Sequence, residues 1–133
     1  MNEKLPGLGL LIIRVGLGIA MSIHGFPKMF DPDKWEFIGG GMSVVGIHFF
    51  PVFWGFMAAV AEFFGGILLV LGAGTRIVSI MLAFTMLIAM LFHISKGDDF
   101  KVYSHSMELL FVFMGLIFLG GGRYSLDGLL SKK

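Results

Sequence analysis

Four mostly apolar runs, each about 20 residues long, dominate this chain of 133 residues. Each is long enough to cross the hydrocarbon core of a bilayer. The first covers residues 5–26, is interrupted only by Arg14 and ends at Pro27. The second covers residues 50–72 and is interrupted only by Glu62. The third, residues 77–95, has His93 near its end, and the fourth, residues 104–121, opens with His105 and Glu108. A backbone in lipid must satisfy its own hydrogen bonds, so runs of this length fold as helices. The expected fold class is an all-α membrane protein: a four-transmembrane-helix antiparallel bundle, one domain over residues 1–133. The tight link at residues 73–76 makes the second and third spans neighbours, and a short polar loop, 96–103, joins the third to the fourth. Residues 31–49 form the one long connection. With Trp35, the Gly39-Gly40-Gly41 break and Val44, Val45 and Ile47, it reads as a re-entrant or interfacial segment between helices 1 and 2, capping the bundle. A central Arg in so long a first run is wrong for a cleaved signal peptide, so that run is expected to stay as a span.

Composition agrees. Charged residues make up 14% of the chain, against about 25% in soluble domains, and mean hydropathy is +0.89. Much of the surface therefore faces lipid. A net charge of +1 argues against a nucleic-acid partner. The absence of cysteine excludes disulfides, thiolate zinc and cysteine-ligated iron–sulfur clusters, so any redox chemistry needs a bound cofactor or a partner. Lys4, Arg76, Arg123, Lys132 and Lys133 fall on one side of the membrane, and Lys28, Lys34, Lys96 and Lys101 on the other. That small excess favours both termini in the cytoplasm.

An ionisable group inside a span is costly, about 2.5–3.5 kcal/mol at the helix centre, which makes Arg14 and Glu62 candidates for function. Residues three, four and seven apart share a helix face. From Glu62 that face holds Gly55, Ala58, Ala59, Gly65 and Gly66; from Arg14 it holds Gly7, Leu11, Gly18 and Met21, with Gly25 a turn beyond. Such small-residue seams suit close helix packing, within one bundle or between copies in a homo-oligomer. Both charges should face the interior, leaving Leu8, Ile12, Ile19, Phe53, Phe64 and Leu71 to lipid. At 1.5 Å per residue both lie within about 5 Å of the midplane, which predicts an Arg14–Glu62 ion pair. The pair either fixes helix register or holds Glu62 as a proton acceptor or ligand anchor.

A second polar layer is expected on the loop-rich side, formed by His24, His93, His105 and Glu108, with Lys28 one turn from His24. Imidazoles and a carboxylate in one layer can relay protons or bind a group, or else hydrogen-bond loop backbone. Glu108 needs a partner there, and His93 is the expected one. No metal site is assigned. His48 and the scattered methionines read as structural.

Taken in order, these pieces resemble the DoxX family of small four-helix bacterial membrane proteins. The matching segments are Arg14-Val15-Gly16-Leu17-Gly18, His24-Gly25-Phe26-Pro27-Lys28, Ala61-Glu62-Phe63-Phe64-Gly65-Gly66, Gly74-Thr75-Arg76, His93, Glu108 and Gly122-Arg123-Tyr124-Ser125-Leu126-Asp127. One departure is Gly121-Gly122-Arg123, where the family often has Gly-Pro-Gly-Arg. The resemblance implies a multi-pass protein of the bacterial cytoplasmic (inner) membrane, linked to redox metabolism. Relatives include the membrane subunit of a thiosulfate:quinone oxidoreductase and a mycobacterial member tied to oxidative-stress defence.

The expected function is therefore a quinone-interacting membrane subunit of an oxidoreductase. Glu62, His93 and Glu108 would act as catalytic proton-handling groups, and Arg14, His24, Lys28 and His105 as ligand-binding groups. A quinone is the expected cofactor, because it needs an apolar slot, a donor to its carbonyl and groups that supply protons. The alternative is a non-enzymatic scaffold or assembly factor docking a soluble redox or stress-defence enzyme. A carrier ranks last, since no inverted repeat is visible.

Overall fold

The computed structural model describes residues 4–131, which are helical throughout apart from turns. Four long helices span the membrane: α1 (Lys4–Met29), α3 (Pro51–Leu71), α4 (Thr75–Ser95) and α5 (Phe100–Leu119). Two short helices, α2 (Trp35–Gly40) and α6 (Leu126–Ser131), lie between and after them. The connection before α3 forms a 3₁₀ turn (Pro32–Lys34), then α2, then a second 3₁₀ turn (Gly41–Val45). It caps the bundle as an interfacial layer and none of its pieces is long enough to span.

Pro27 does not end the first helix. α1 continues to Met29 with Pro27 inside its last turn. A proline there forfeits one backbone bond, and the helix after it can continue when tertiary contacts hold the turn. Here the indole N–H of Trp35 donates to the Lys28 carbonyl at 2.8 Å, satisfying an end group of α1. That extra turn carries Lys28 into the bundle.

The small-residue faces pack as their spacing predicts. In α1 the buried positions are Gly7, Arg14, Gly18, Met21 and Gly25; in α3 they include Gly55, Ala59, Glu62, Gly65 and Gly66. α1 and α3 run antiparallel, with Gly18 backed against the Gly66 carbonyl so closely that a Cβ at either position would collide with backbone. Ser22 Oγ crosses the same seam to the Phe63 carbonyl at 3.1 Å. Leu8, Ile12, Ile19, Phe53, Phe64 and Leu71 are all exposed, which places them in lipid. α4 packs mainly on α5, and the interior between the pairs is filled by Met21, Leu69, Leu82, Phe113 and Leu116.

α2 rests directly on the start of α3. A Cβ on Gly39 would overlap the Pro51 carbonyl, and one on Gly55 would overlap the Trp35 carbonyl. Of the three glycines expected to break the chain, Gly39 and Gly40 stay helical in α2, and Gly39 makes the backbone-to-backbone contact that fixes the cap on the bundle.

At the opposite end the α3–α4 turn uses left-handed glycines, Gly72 (φ 72°) and Gly74 (φ 61°). The C-terminal segment folds over it. Asp127 N–H donates to the Gly72 carbonyl at 3.0 Å, and the Asp127 carboxylate accepts from the N–H groups of Gly74 (2.8 Å) and Thr75 (2.9 Å). A carboxylate from 52 residues away thus caps the N-terminus of α4, where the helix dipole favours an anion.

Candidate functional site

Arg14 and Glu62 do not pair. The Arg14 guanidinium donates to the carbonyls of Leu69 (2.9 Å), Val70 (3.2 Å) and Tyr124 (2.6 Å). Leu69 and Val70 close the C-terminal turn of α3, where carbonyls lack helical partners and the dipole end is negative. A fully buried guanidinium finds there acceptors for both terminal nitrogens and a favourable field, while its Nε–H has no acceptor among the described residues. The antiparallel offset explains the separation. Gly25, not Arg14, lies opposite Glu62 on α1, eleven residues on, or about 16 Å along the helix. Counting residues from each end placed both charges near one depth but could not supply this offset.

Glu62 instead meets Lys28. Lys28 Nζ lies 2.7 Å from Glu62 Oε2, with the Glu62 side chain 5% exposed and that of Lys28 35%. The extra turn of α1 beyond Pro27 makes this pair possible. Lys28 approaches from the loop side with its stem along apolar surface, the usual way a long cation reaches into a bundle.

The pair opens onto a cavity of about 580 Å³ between α2, α3 and α4. This is within the roughly 300–1,000 Å³ range of small-molecule sites. Its wall is chiefly apolar, with Ile38, Met57, Ala61, Phe84, Met86 and Phe92 among the lining residues. Polar groups are few: Lys28, Glu62, Trp54, Thr85, His93 and Lys96. The Trp54 indole N–H is enclosed and has no acceptor among the described residues. Trp54 lines the cavity, and a turn of its indole would bring this unpaired donor to a ligand oxygen there.

His93 belongs to this cavity, but its partner is Asp98 and not Glu108. His93 Nδ1 and Asp98 Oδ2 are 2.8 Å apart, and Lys96 Nζ stands 3.9 Å from the same oxygen. Asp98 sits in the polar turn just beyond α4, so the dyad links cavity wall to loop.

The expected polar layer therefore divides. His93, Lys28 and Glu62 line the cavity. His24 and His105 meet on the outside, where α1 nears α5, with ring centroids 5.7 Å apart and the rings tilted 54° to each other. Glu108 is exposed on the same outer face of α5. Arg14 lies at the far end of the bundle. Among the described residues no group of three or more His, Asp or Glu side chains is placed to hold a metal ion.

The sequence reading missed Trp54, Lys96 and Asp98. Nothing in the sequence analysis gives Trp54 or Asp98 a role. The only available signal was position: Asp98 follows His93 by five residues across a helix end, where a Gly97 turn (φ 80°) folds the chain back.

Asp127 was read only as part of a terminal motif. Burial tends to raise its carboxyl pKa, but the N–H groups of Thr75 and Gly74, together with the nearby Arg14 guanidinium, outweigh that and hold it below the ordinary carboxylate value.

Comparison with known proteins agrees with this architecture. The chain is 29% identical over 134 positions to inner membrane protein YqjF of Escherichia coli (strain K12), covering 98% of both chains. It is 31% identical over 87 residues to a protein of Bacillus subtilis (strain 168) named "Putative oxidoreductase CatD", covering 65% of this chain and 60% of that one. No solved structure matches significantly. The DoxX family model matches residues 9–94, which include most of α1, the interfacial cap, α3 and nearly all of α4, and the chain belongs to the DoxX family.

Proposed function

We propose that this protein is the membrane component of a redox system and that its cavity takes a quinone-class molecule. The observation that carries the reading is the apolar cavity of about 580 Å³ walled by the Lys28–Glu62 pair, by His93, which Asp98 holds from the loop, and by Trp54 with its unpaired N–H. Quinone reduction consumes electrons and protons in equal number. A chain without cysteine must receive the electrons from a partner or a bound group. A quinone ring fits the apolar wall, and its carbonyls match the available donors.

The chain's own residues supply binding and proton handling. Trp54 Nε1–H and Lys28 Nζ donate to a ligand oxygen. Glu62 is a carboxylate at depth, its charge balanced by Lys28, and offers an acceptor for a proton. His93 leaves Nε2 free while Asp98 takes Nδ1, an arrangement that passes a proton between loop and cavity. The oxidoreductase name of the Bacillus subtilis relative supports a redox role.

The test is titration of purified protein with a short-chain quinone, read as tryptophan fluorescence, beside mass spectrometry of the native extract. Saturable quenching that disappears in Trp54→Phe, with a stoichiometric quinone in the extract, supports the reading. Linear, non-saturating quenching and only bulk phospholipid would reject it. Attention would then move to docking of a soluble enzyme on the 31–49 cap.

A further inference from the structure

Glu108 is a carboxylate in the wrong place for a single bundle. It lies eight residues into α5, about 12 Å from the helix start and farther from its end, so it falls inside the membrane. Its side chain is exposed on the lipid-facing side and has neither an ion pair nor a hydrogen bond among the described residues. Intramembrane carboxylates normally face protein or water and have a partner. His105, one turn above on the same face, leans against His24 of α1 and leaves Glu108 alone.

One turn on from Glu108 along α5 the exposed Phe111 and Val112 share its face, and small residues lie beyond them. On α5, Gly115 lies two turns further along its face, exposed, with open space where a Cβ would be. On α1, Gly16 and Ala20 are exposed on the turns leading up to His24, and Gly16 also borders open space. α1 and α5 are the least buried of the four spans. One outer face thus combines an unpaired acid, two imidazoles and, on α1, the small Gly16 and Ala20, which permit close helix approach there.

We propose that this face is where two copies of the chain meet, and that each copy completes the other's Glu108. A two-fold axis along the membrane normal keeps equal residues at equal depth. Glu108 of one copy then meets the His24–His105 pair of the second, less than one turn away, and the reverse contact follows by symmetry. The patch carries both the acceptor and the donors, so it is complementary to itself. A lipid tail offers Glu108 no donor.

The native chain has no cysteine, which makes single-cysteine cross-linking in native membranes a clean test. Ala20→Cys and Gly16→Cys should form disulfide-linked dimers under mild oxidation, and Phe64→Cys, exposed on another face, should not. Adding Glu108→Leu to Ala20→Cys should lower the dimer yield about tenfold, because two interhelical hydrogen bonds are lost per dimer. Glu108→Leu removes only an exposed group, and normal recovery of monomer from detergent checks that the bundle still folds. Equal cross-linking at Phe64, no dimer at Ala20 or Gly16, an adduct to a different protein at Ala20, or an unchanged yield with Glu108→Leu would each overturn the proposal.

Discussion

A double-mutant cycle separates the charge partners found here from those that residue counting suggests. The perturbations are Arg14→Leu, Lys28→Leu and Glu62→Leu, singly and in pairs. Coulomb coupling scales inversely with distance. In an effective dielectric of about 20, charges 2.7 Å apart couple by roughly 6 kcal/mol and charges about 16 Å apart by roughly 1 kcal/mol. Lys28 is 35% exposed, so screening and side-chain entropy reduce its coupling to Glu62 to about 1–3 kcal/mol. The Arg14–Glu62 coupling should fall to about 0.5 kcal/mol or less, as for sites without shared partners. Arg14→Leu alone should still cost about 3–5 kcal/mol, because it strips a fully buried hydrogen-bonding hub from the carbonyls of Val70 and Tyr124. The assay is SDS titration of protein in mild detergent followed by tryptophan fluorescence, which Trp35 and Trp54 provide. An Arg14–Glu62 coupling as large as the Lys28–Glu62 coupling would refute the assigned register of α1 on α3.

Other outcomes follow from the same geometry. Gly55→Ala should destabilise the protein by about 3 kcal/mol in the same titration, since the added methyl meets the Trp35 carbonyl; a change near zero would mean the cap is loosely held. Asp127→Asn should cost about 1–2 kcal/mol at neutral pH by weakening the cap on α4. Because the folded-state pKa of Asp127 is depressed, its contribution is fully present above the unfolded value of about 4. The contribution is lost as pH falls through the lower folded value, so wild type and Asp127→Asn should differ constantly above about pH 5 and converge in acid. A gap that widens on acidification would contradict the assignment. Asp98→Asn should leave quinone affinity nearly unchanged while slowing any quinone-linked proton uptake in stopped-flow measurements; an equal loss of both would argue against a relay through His93.

Which segments are long and apolar enough to cross the membrane, and which faces of α1 and α3 turn inward, can be read from the amino-acid order alone. Both follow from local properties: run length, and small residues recurring at helical spacing around Arg14 and Glu62. Even the lipid-facing residues, such as Ile12 and Phe64, were legible from period alone. Charge partners were not. A lysine or arginine reaches several ångströms in either direction along a bundle, so its partner depends on the sliding register of neighbouring helices. The backbone contacts of Gly18 with Gly66 and of Gly25 with the Glu62–Phe63 backbone set that register. They sent Arg14 to the end of α3 and brought Lys28, carried past Pro27, to Glu62. Rotation about each helix axis divided the expected polar layer, turning His93 toward the cavity and His24, His105 and Glu108 outward. The cap of α4 by Asp127 joins groups 52 residues apart, a distance no local pattern spans. Local chemistry chose the helices; their offset and rotation, which only packing of the whole bundle fixes, chose the site.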